Sequence, residues 1–237
     1  MRHDMETIRE LTSKDLARIS CSACNGCGQC CTGMGDTIHL DPWDTAALCA
    51  GLGADFTDLL ENVVGLHVEN GLILPHLLMR EGSADERCVF LDDERRCGIH
   101  TFRPGICRLF PLGRNYHEPD YGYFVVEGGC EKPGKTKVRI DKWLGIPALS
   151  SYERFVADWH FLVRPLQEKV MQGQGSAQGQ DSAYNTRYDA SYVRDLNRFF
   201  LGLFYEKSWP AKEASVLPGA AFYEEFYARL EQFRSVS

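Results

Sequence analysis

The chain has 237 residues, 44% hydrophobic and 25% charged, with a formal net charge of -7. That length allows one large domain or a domain with an appendage, and the composition is that of a globular protein. The acidic balance argues against nucleic acid or an anionic membrane surface as partner, and no apolar run approaches the ~20 residues needed to cross a bilayer.

The first twenty residues, MRHDMETIRELTSKDLARIS, are charged throughout and lack an apolar stretch, which predicts no secretory leader. A cytoplasmic, thiol-reducing setting is expected, where ten cysteines read as metal ligands or redox groups before disulfides. Residues 5–19 carry Ile8, Leu11, Leu16 and Ile19 among charges, the pattern of a short helix leading into a cysteine loop. Thr37 to Leu40 reads as a short strand. Asp41-Pro42-Trp43-Asp44 is a helix start, with Asp41 as N-cap and Pro42 at the first helical position; the helix should reach about Ala50 and stop at Gly51 and Gly53. Cys49 on it reads as a core residue.

A second short helix is expected from Phe56 to Val63. Leu66 to Leu74 reads as a hairpin around Asn70-Gly71, the strongest short-range hairpin signal. A further hairpin is expected from Cys88-Val89-Phe90-Leu91 to Cys97-Gly98-Ile99, bringing Cys88 and Cys97 together at its open end. Pro104 should begin a helix of one or two turns that carries Cys107 and stops before Pro111. Tyr121 to Val126 is a strand, after which Gly128-Gly129 delivers the chain to Cys130.

Beyond about Leu144 the pattern becomes helical. Ser151 to Val170 places Phe155, Trp159, Leu162, Val163 and Leu166 on one face, with Pro165 expected to kink or break it. Gly173 to Ala183 is a low-complexity linker. Helices follow through Tyr192, Leu196, Phe200 and Phe204, and from Pro218 through Phe222, Phe226, Leu230 and Phe233. Their aromatic stripes read as packing faces, with a protein-partner surface as the alternative use. The fold class is therefore α+β: a cysteine-rich module over residues 1–147 with short antiparallel hairpins and small helices, and a helical region over 148–237.

The thiols decide the chemistry. Cys24-Asn-Gly-Cys27-Gly-Gln-Cys30-Cys31 places four cysteines in a glycine-loosened loop, a density that buried structural cysteines do not show. Such spacing belongs to zinc sites and iron–sulfur loops. Cys21, Cys24, Cys27, Cys30, Cys31, Cys88, Cys97, Cys107 and Cys130 exceed the four ligands that one zinc or one [4Fe–4S] cluster takes. Consecutive side chains diverge, so Cys30 and Cys31 are not expected on one ion: two centres lie side by side, or one of the pair is structural. Spacing alone does not choose the metal. The C-x2-C-x2-C run inclines the reading to [4Fe–4S], by a narrow margin over zinc.

Residues 94–142 hold ten Lys or Arg against six Asp or Glu. Arg103 and Arg108 among them are placed to offset thiolate charge by hydrogen bonds to sulfur. Gly129 to Thr136 matches the nucleotide-binding pattern G-x-x-x-x-G-K-[ST] literally, but no further βαβ unit follows it. None of the seven histidines sits in a Cys–His nucleophile motif, the C-x-x-x-C-x-x-C loop of radical enzymes is absent, and adjacent cysteines do not suit a secreted disulfide scaffold.

Cys24-x-x-Cys27-Gly-x-Cys30-Cys31, then Ile38-His-Leu-Asp-Pro, Cys88-Val-Phe-Leu, Cys97-x-Ile-His-x-x-Arg103-Pro104-x-x-Cys107-Arg108-Leu-Phe-Pro111 and Cys130 with Gly134-Lys135 resemble the YkgJ-type cysteine-cluster family, the CxxCxxCC group of zinc- or iron-chelating proteins. The resemblance covers roughly residues 21–135. It implies ligation of metal by Cys24, Cys27, Cys30, Cys31, Cys88, Cys97, Cys107 and Cys130, and leaves Cys21 and Cys49 outside. The implied role is redox, metal-handling or structural. A flagellin lysine methylase has a similar cysteine cluster, so a cluster-dependent modifying enzyme is the alternative.

Overall fold

The computed structural model describes residues 9–20, 27–80, 86–130, 133–175, 190–210 and 216–236. Three two-stranded antiparallel sheets carry the N-terminal part. Strand β1 (Leu16–Ser20) pairs with β6 (Thr136–Arg139), β2 (Val64–Glu69) with β3 (Leu72–Leu77), and β4 (Leu112–His117) with β5 (Asp120–Val125). Helices α1 (Pro42–Leu52), α2 (Phe56–Asn62), α3 (Gly105–Leu109) and α4 (Ile140–Leu144) fill the intervals, and α5 (Leu149–Gly175), α6 (Ala190–Leu201) and α7 (Ala220–Arg234) complete the α+β architecture.

Where the signals are local, the elements stand where the sequence places them. Asp41 accepts from the Asp44 amide while the Asp44 carboxylate accepts from the Asp41 amide, a reciprocal cap that stabilises a helix start by roughly 0.5–2 kcal/mol. Gly53 closes α1 at φ 68°. Asn70 and Gly71 take φ 49° and 83° between Glu69 and Leu72, which pair directly, as a two-residue hairpin turn requires.

Four segments differ from expectation. The stretch before the cysteine loop is a strand where a helix was expected: Ala17 and Ile19 are buried while Leu16 and Arg18 face solvent, a period of two whose partner β6 lies over a hundred residues away. The Cys88–Ile99 segment makes no ladder; one bridge joins Leu91 to Cys97, and another joins Cys88 to Met79. Thr37 to Leu40 likewise runs extended beside β3 through one bridge, His39 to His76. Helix α5 continues through Pro165 unbroken, which means it passes the one lost amide bond. Its end takes in Gly173 to Gly175 of the expected linker, and the rest of that linker lies outside the described residues.

One apolar core runs from the small helices into the C-terminal ones. Trp43 of α1 meets Tyr152 of α5 with ring centroids 4.9 Å apart, and Phe56 of α2 meets Tyr205 at 5.6 Å. The C-terminal aromatic stripes face one another: Phe155 with Phe226 at 4.6 Å, Trp159 with Phe204 at 5.1 Å, Phe204 with Phe233 at 5.6 Å. Phe200, Phe204, Phe226 and Phe233 are fully buried. They are packing faces, and a protein partner would have to use other residues.

Candidate metal centre

Three chain segments bring thiols into one neighbourhood. The first is the cysteine loop, described from Cys27 onward; Cys21 and Cys24 lie outside the described residues. Gly28 takes φ +61°, and a Cβ there would sit 3.2 Å from Arg95 Cβ and from Leu91. A glycine therefore lets the loop lie flat on the 91–95 turn. Arg95 Nε clasps the Cys27 carbonyl at 2.9 Å. A single 3-10 turn, Gln29–Cys31, follows, with the Cys31 amide bonded to the Gly28 carbonyl at 3.1 Å.

The second segment runs antiparallel beside this loop. The Cys88 amide donates to the Cys31 carbonyl at 2.8 Å, and Gly33 donates to the Glu86 carbonyl at 3.0 Å. Beyond it the Gly98 amide donates to the Phe90 carbonyl at 2.8 Å, folding Cys97 back opposite Leu91. The third segment is α3, which carries Cys107. Its first amide, Gly105, donates to the Asp44 carboxylate at 2.7 Å. The cap of α1 thus also fixes the start of the helix that presents a thiol, a link across 61 positions that no local pattern announces.

Charge effects put these thiols within electrostatic reach of one another. Cys30 and Cys31 have Sγ atoms 3.9 Å apart; their shared hydrogen bond lowers Cys30, with Arg103 adding to the effect, and raises Cys31. Burial, followed by neighbouring sulfurs, raises Cys88, Cys97 and Cys107: Cys88 feels Cys97 and Cys30, Cys97 feels Cys30, and Cys107 feels Asp44, Cys88 and Cys97. Five of the eight expected ligands therefore share one patch. Cys130 follows β5 and offers its carbonyl to the Lys135 ammonium. Cys49, held up at about 11 chiefly by burial and then by Asp55, packs against the core as the sequence suggested.

The vicinal pair does not diverge. On a tight turn two neighbouring thiols can rotate toward each other, and their 3.9 Å separation matches the roughly 3.8 Å between two sulfurs in a tetrahedral site with zinc–sulfur bonds of ~2.3 Å. Among the described residues no three His, Cys, Asp or Glu side chains close on a single point as a metal site would require. Buried thiols whose pKa values are raised by one another repel when ionised, so a cation is what would draw them in. Soft sulfur donors in this number suit zinc or iron.

The two arginines separate. Arg103 lowers Cys30, Cys97 and Cys107 through its charge, after larger causes at each, and its Nε is buried without a hydrogen-bond partner. Arg108 is buried with its guanidinium on three carbonyls, Arg103 at 3.0 Å, Thr101 at 2.5 Å and Leu144 at 3.4 Å. Its bonds brace the turn that carries Arg103 and do not reach sulfur. His100 is exposed, and burial followed by the charges of Arg103 and Arg108 lowers its pKa.

Residues 23–124 match the family model CxxCxxCC, described as "Putative zinc- or iron-chelating domain". This stretch is similar to the CxxCxxCC domain. The matched stretch is rather less than half of the chain and takes in Cys24, Cys27, Cys30, Cys31, Cys88, Cys97 and Cys107; Cys130 and the three long helices lie beyond it. No curated protein and no solved structure matches the chain. The nucleotide-binding pattern at 129–136 lacks its fold: Thr136 opens strand β6 where a phosphate loop would open a helix. No helix among the described residues is long and apolar enough to cross a membrane.

Proposed function

We propose that the CxxCxxCC-like stretch holds zinc or iron on thiolates drawn from Cys24, Cys27, Cys30, Cys31, Cys88, Cys97, Cys107 and Cys130, and that the metal fastens the three thiol-bearing segments together. The observation that carries this reading is the gathering of five thiols from three distant segments, with two of them at the spacing of neighbours on one ion. That spacing favours a centre in which Cys30 and Cys31 share a single metal ion. In a [4Fe–4S] cluster each thiolate takes its own iron, so a shared ion supports zinc, or iron bound singly, over the cluster.

Arg103 offsets the negative charge of the thiolates, and Arg108 holds the backbone from which Arg103 projects. The metal supplies positive charge and directional bonds; the chain supplies the loop, the antiparallel segment and α3. Anaerobic purification followed by elemental analysis and an ultraviolet–visible spectrum tests this. A colourless protein with stoichiometric zinc, or iron without sulfide, supports single ions. A brown protein with equal iron and sulfide replaces them with a cluster, and a metal-free protein sinks the proposal. Cys88→Ser should lower metal content where Cys49→Ser does not.

A further inference from the structure

Residues of α1, α3 and α5 line a cavity of about 640 Å³, within the ~300–1,000 Å³ range of small-molecule sites. Leu40, Leu74, Ile106, Val156, Val163 and Trp159 give it apolar walls. Asp41, Asp44 and Arg114 stand in the same wall, with Tyr116 and His160 beside them, stacked with ring centroids 3.6 Å apart and 4° between planes.

Arg114 keeps one buried donor free. Its Nη2 donates to the Tyr152 hydroxyl at 3.1 Å, and its guanidinium lies 5.4 and 5.8 Å from the Tyr121 and Tyr152 ring centres. Its Nε is buried with no acceptor. The Tyr116 hydroxyl is a second hydrogen-bond partner, and of the five N–H donors of the guanidinium the Nε proton is the one left for a ligand. No carboxylate reaches it within ion-pair distance among the described residues. The nearby acids are otherwise engaged: Asp41 caps the Asp44 amide, and Asp44 accepts from the Asp41 and Gly105 amides. A guanidinium withdrawn from water is costly unless an anion with hydrogen-bonding oxygens meets it.

We propose that this cavity binds a small molecule with one carboxylate and an apolar body, the carboxylate on Arg114 and the body against the aliphatic wall. A planar carboxylate matches the guanidinium fork. A phosphate dianion suits the place less, because Asp41 and Glu69 line the same cavity and would repel its second charge. The site does not depend on which metal the thiols hold, and the metal analysis can fail without touching it.

The test is calorimetric titration of the purified, metal-containing protein with hexanoate, and in parallel with 1-hexanol, hexylamine and inorganic phosphate. Hexanoate should bind saturably, the alcohol and the amine at least tenfold more weakly, and phosphate not at all. Arg114→Met should weaken hexanoate at least tenfold with an unchanged circular dichroism spectrum. If that variant does not fold, Val163→Trp fills the apolar wall and should abolish hexanoate binding by itself. No binding of hexanoate, equal binding of the alcohol or the amine, binding of phosphate, or hexanoate affinity unmoved in Val163→Trp each overturns the proposal.

Discussion

The thiol-bearing loops and the three C-terminal helices are held by different physics. Around α5, α6 and α7, rings pack on rings, and α1 and α2 add Trp43 and Phe56 to the same core. Among the described residues, the stretch from Cys27 to Phe110 that presents the thiols has, besides α1, α2 and the β2–β3 hairpin, only turns, isolated bridges and three very short helices. Individual hydrogen bonds of that kind stabilise by ~0.5–1.5 kcal/mol each, and they cannot alone oppose the entropy of ordering so many loop residues. If the thiols hold a metal, its removal should fall first on the loops, whose closure rests on few hydrogen bonds.

Removing the metal should break this comparison most visibly. Chelation under reducing conditions should expose the amides of residues 27–33 and 86–110 to hydrogen exchange while α5 to α7 stay protected. Structural zinc sites contribute on the order of 10 kcal/mol or more in small isolated domains, so loss of most of the loop region's stability is expected. Uniform loss of protection in both regions would show that the helices also depend on the metal.

Phe226→Ala probes the other side. Phe226 is fully buried among Phe155, Trp159, Phe204 and Phe222, and its truncation should cost about 3–5 kcal/mol in urea unfolding with metal content unchanged. The arginines sharpen the comparison within the thiol region. Arg108→Ala strips three carbonyls of their donor and should cost about 2–3 kcal/mol. Arg103→Ala should leave the urea midpoint nearly in place and move thiol alkylation of the metal-free protein to higher pH.

A further effect is the pH dependence at the start of α1. Burial holds the Asp41 carboxyl up at about 6, so the folded chain keeps its proton more tightly than the unfolded chain does. The resulting stability is present in acid and is lost as pH rises from the ordinary carboxylate value near ~4 toward 6. Asp41→Asn keeps the cap and removes this slope. Its urea midpoint relative to the parent should therefore climb across that window, and a constant offset would refute the assignment.

The parts of this molecule readable from sequence are those whose cause lies within a few residues. Asp41-Pro42 starts a helix by its own capping chemistry, Asn70-Gly71 turns a hairpin by its own dihedrals, and the cysteine loop declares its donors by spacing. The closing pair of β1 and β6 was hidden because Leu16 and Ile19 fit a helical period until a distant strand selects the alternation of Ala17 and Ile19. Arg95 on the Cys27 carbonyl and Asp44 on the Gly105 amide were equally hidden, each joining positions more than sixty residues apart. The adjacency of Cys30 and Cys31 was legible, but its geometry was not, since only the turn decides whether neighbouring thiols part or meet.

The order of the thiols along the chain has a consequence in time. Cys30 and Cys31 leave the ribosome early, and Cys107 is roughly 75 residues behind; at ~5–20 residues per second of synthesis this is about 4–15 s. Strand β6, which closes the module against β1, comes later still. During that interval the early thiols have neither their partners nor their cover. A nascent chain of this design therefore passes through a stage at which exposed cysteines can be oxidised or can take up an early ion. Its yield should depend on the reductant and metal supplied while it is being made, more than on those supplied after it has folded.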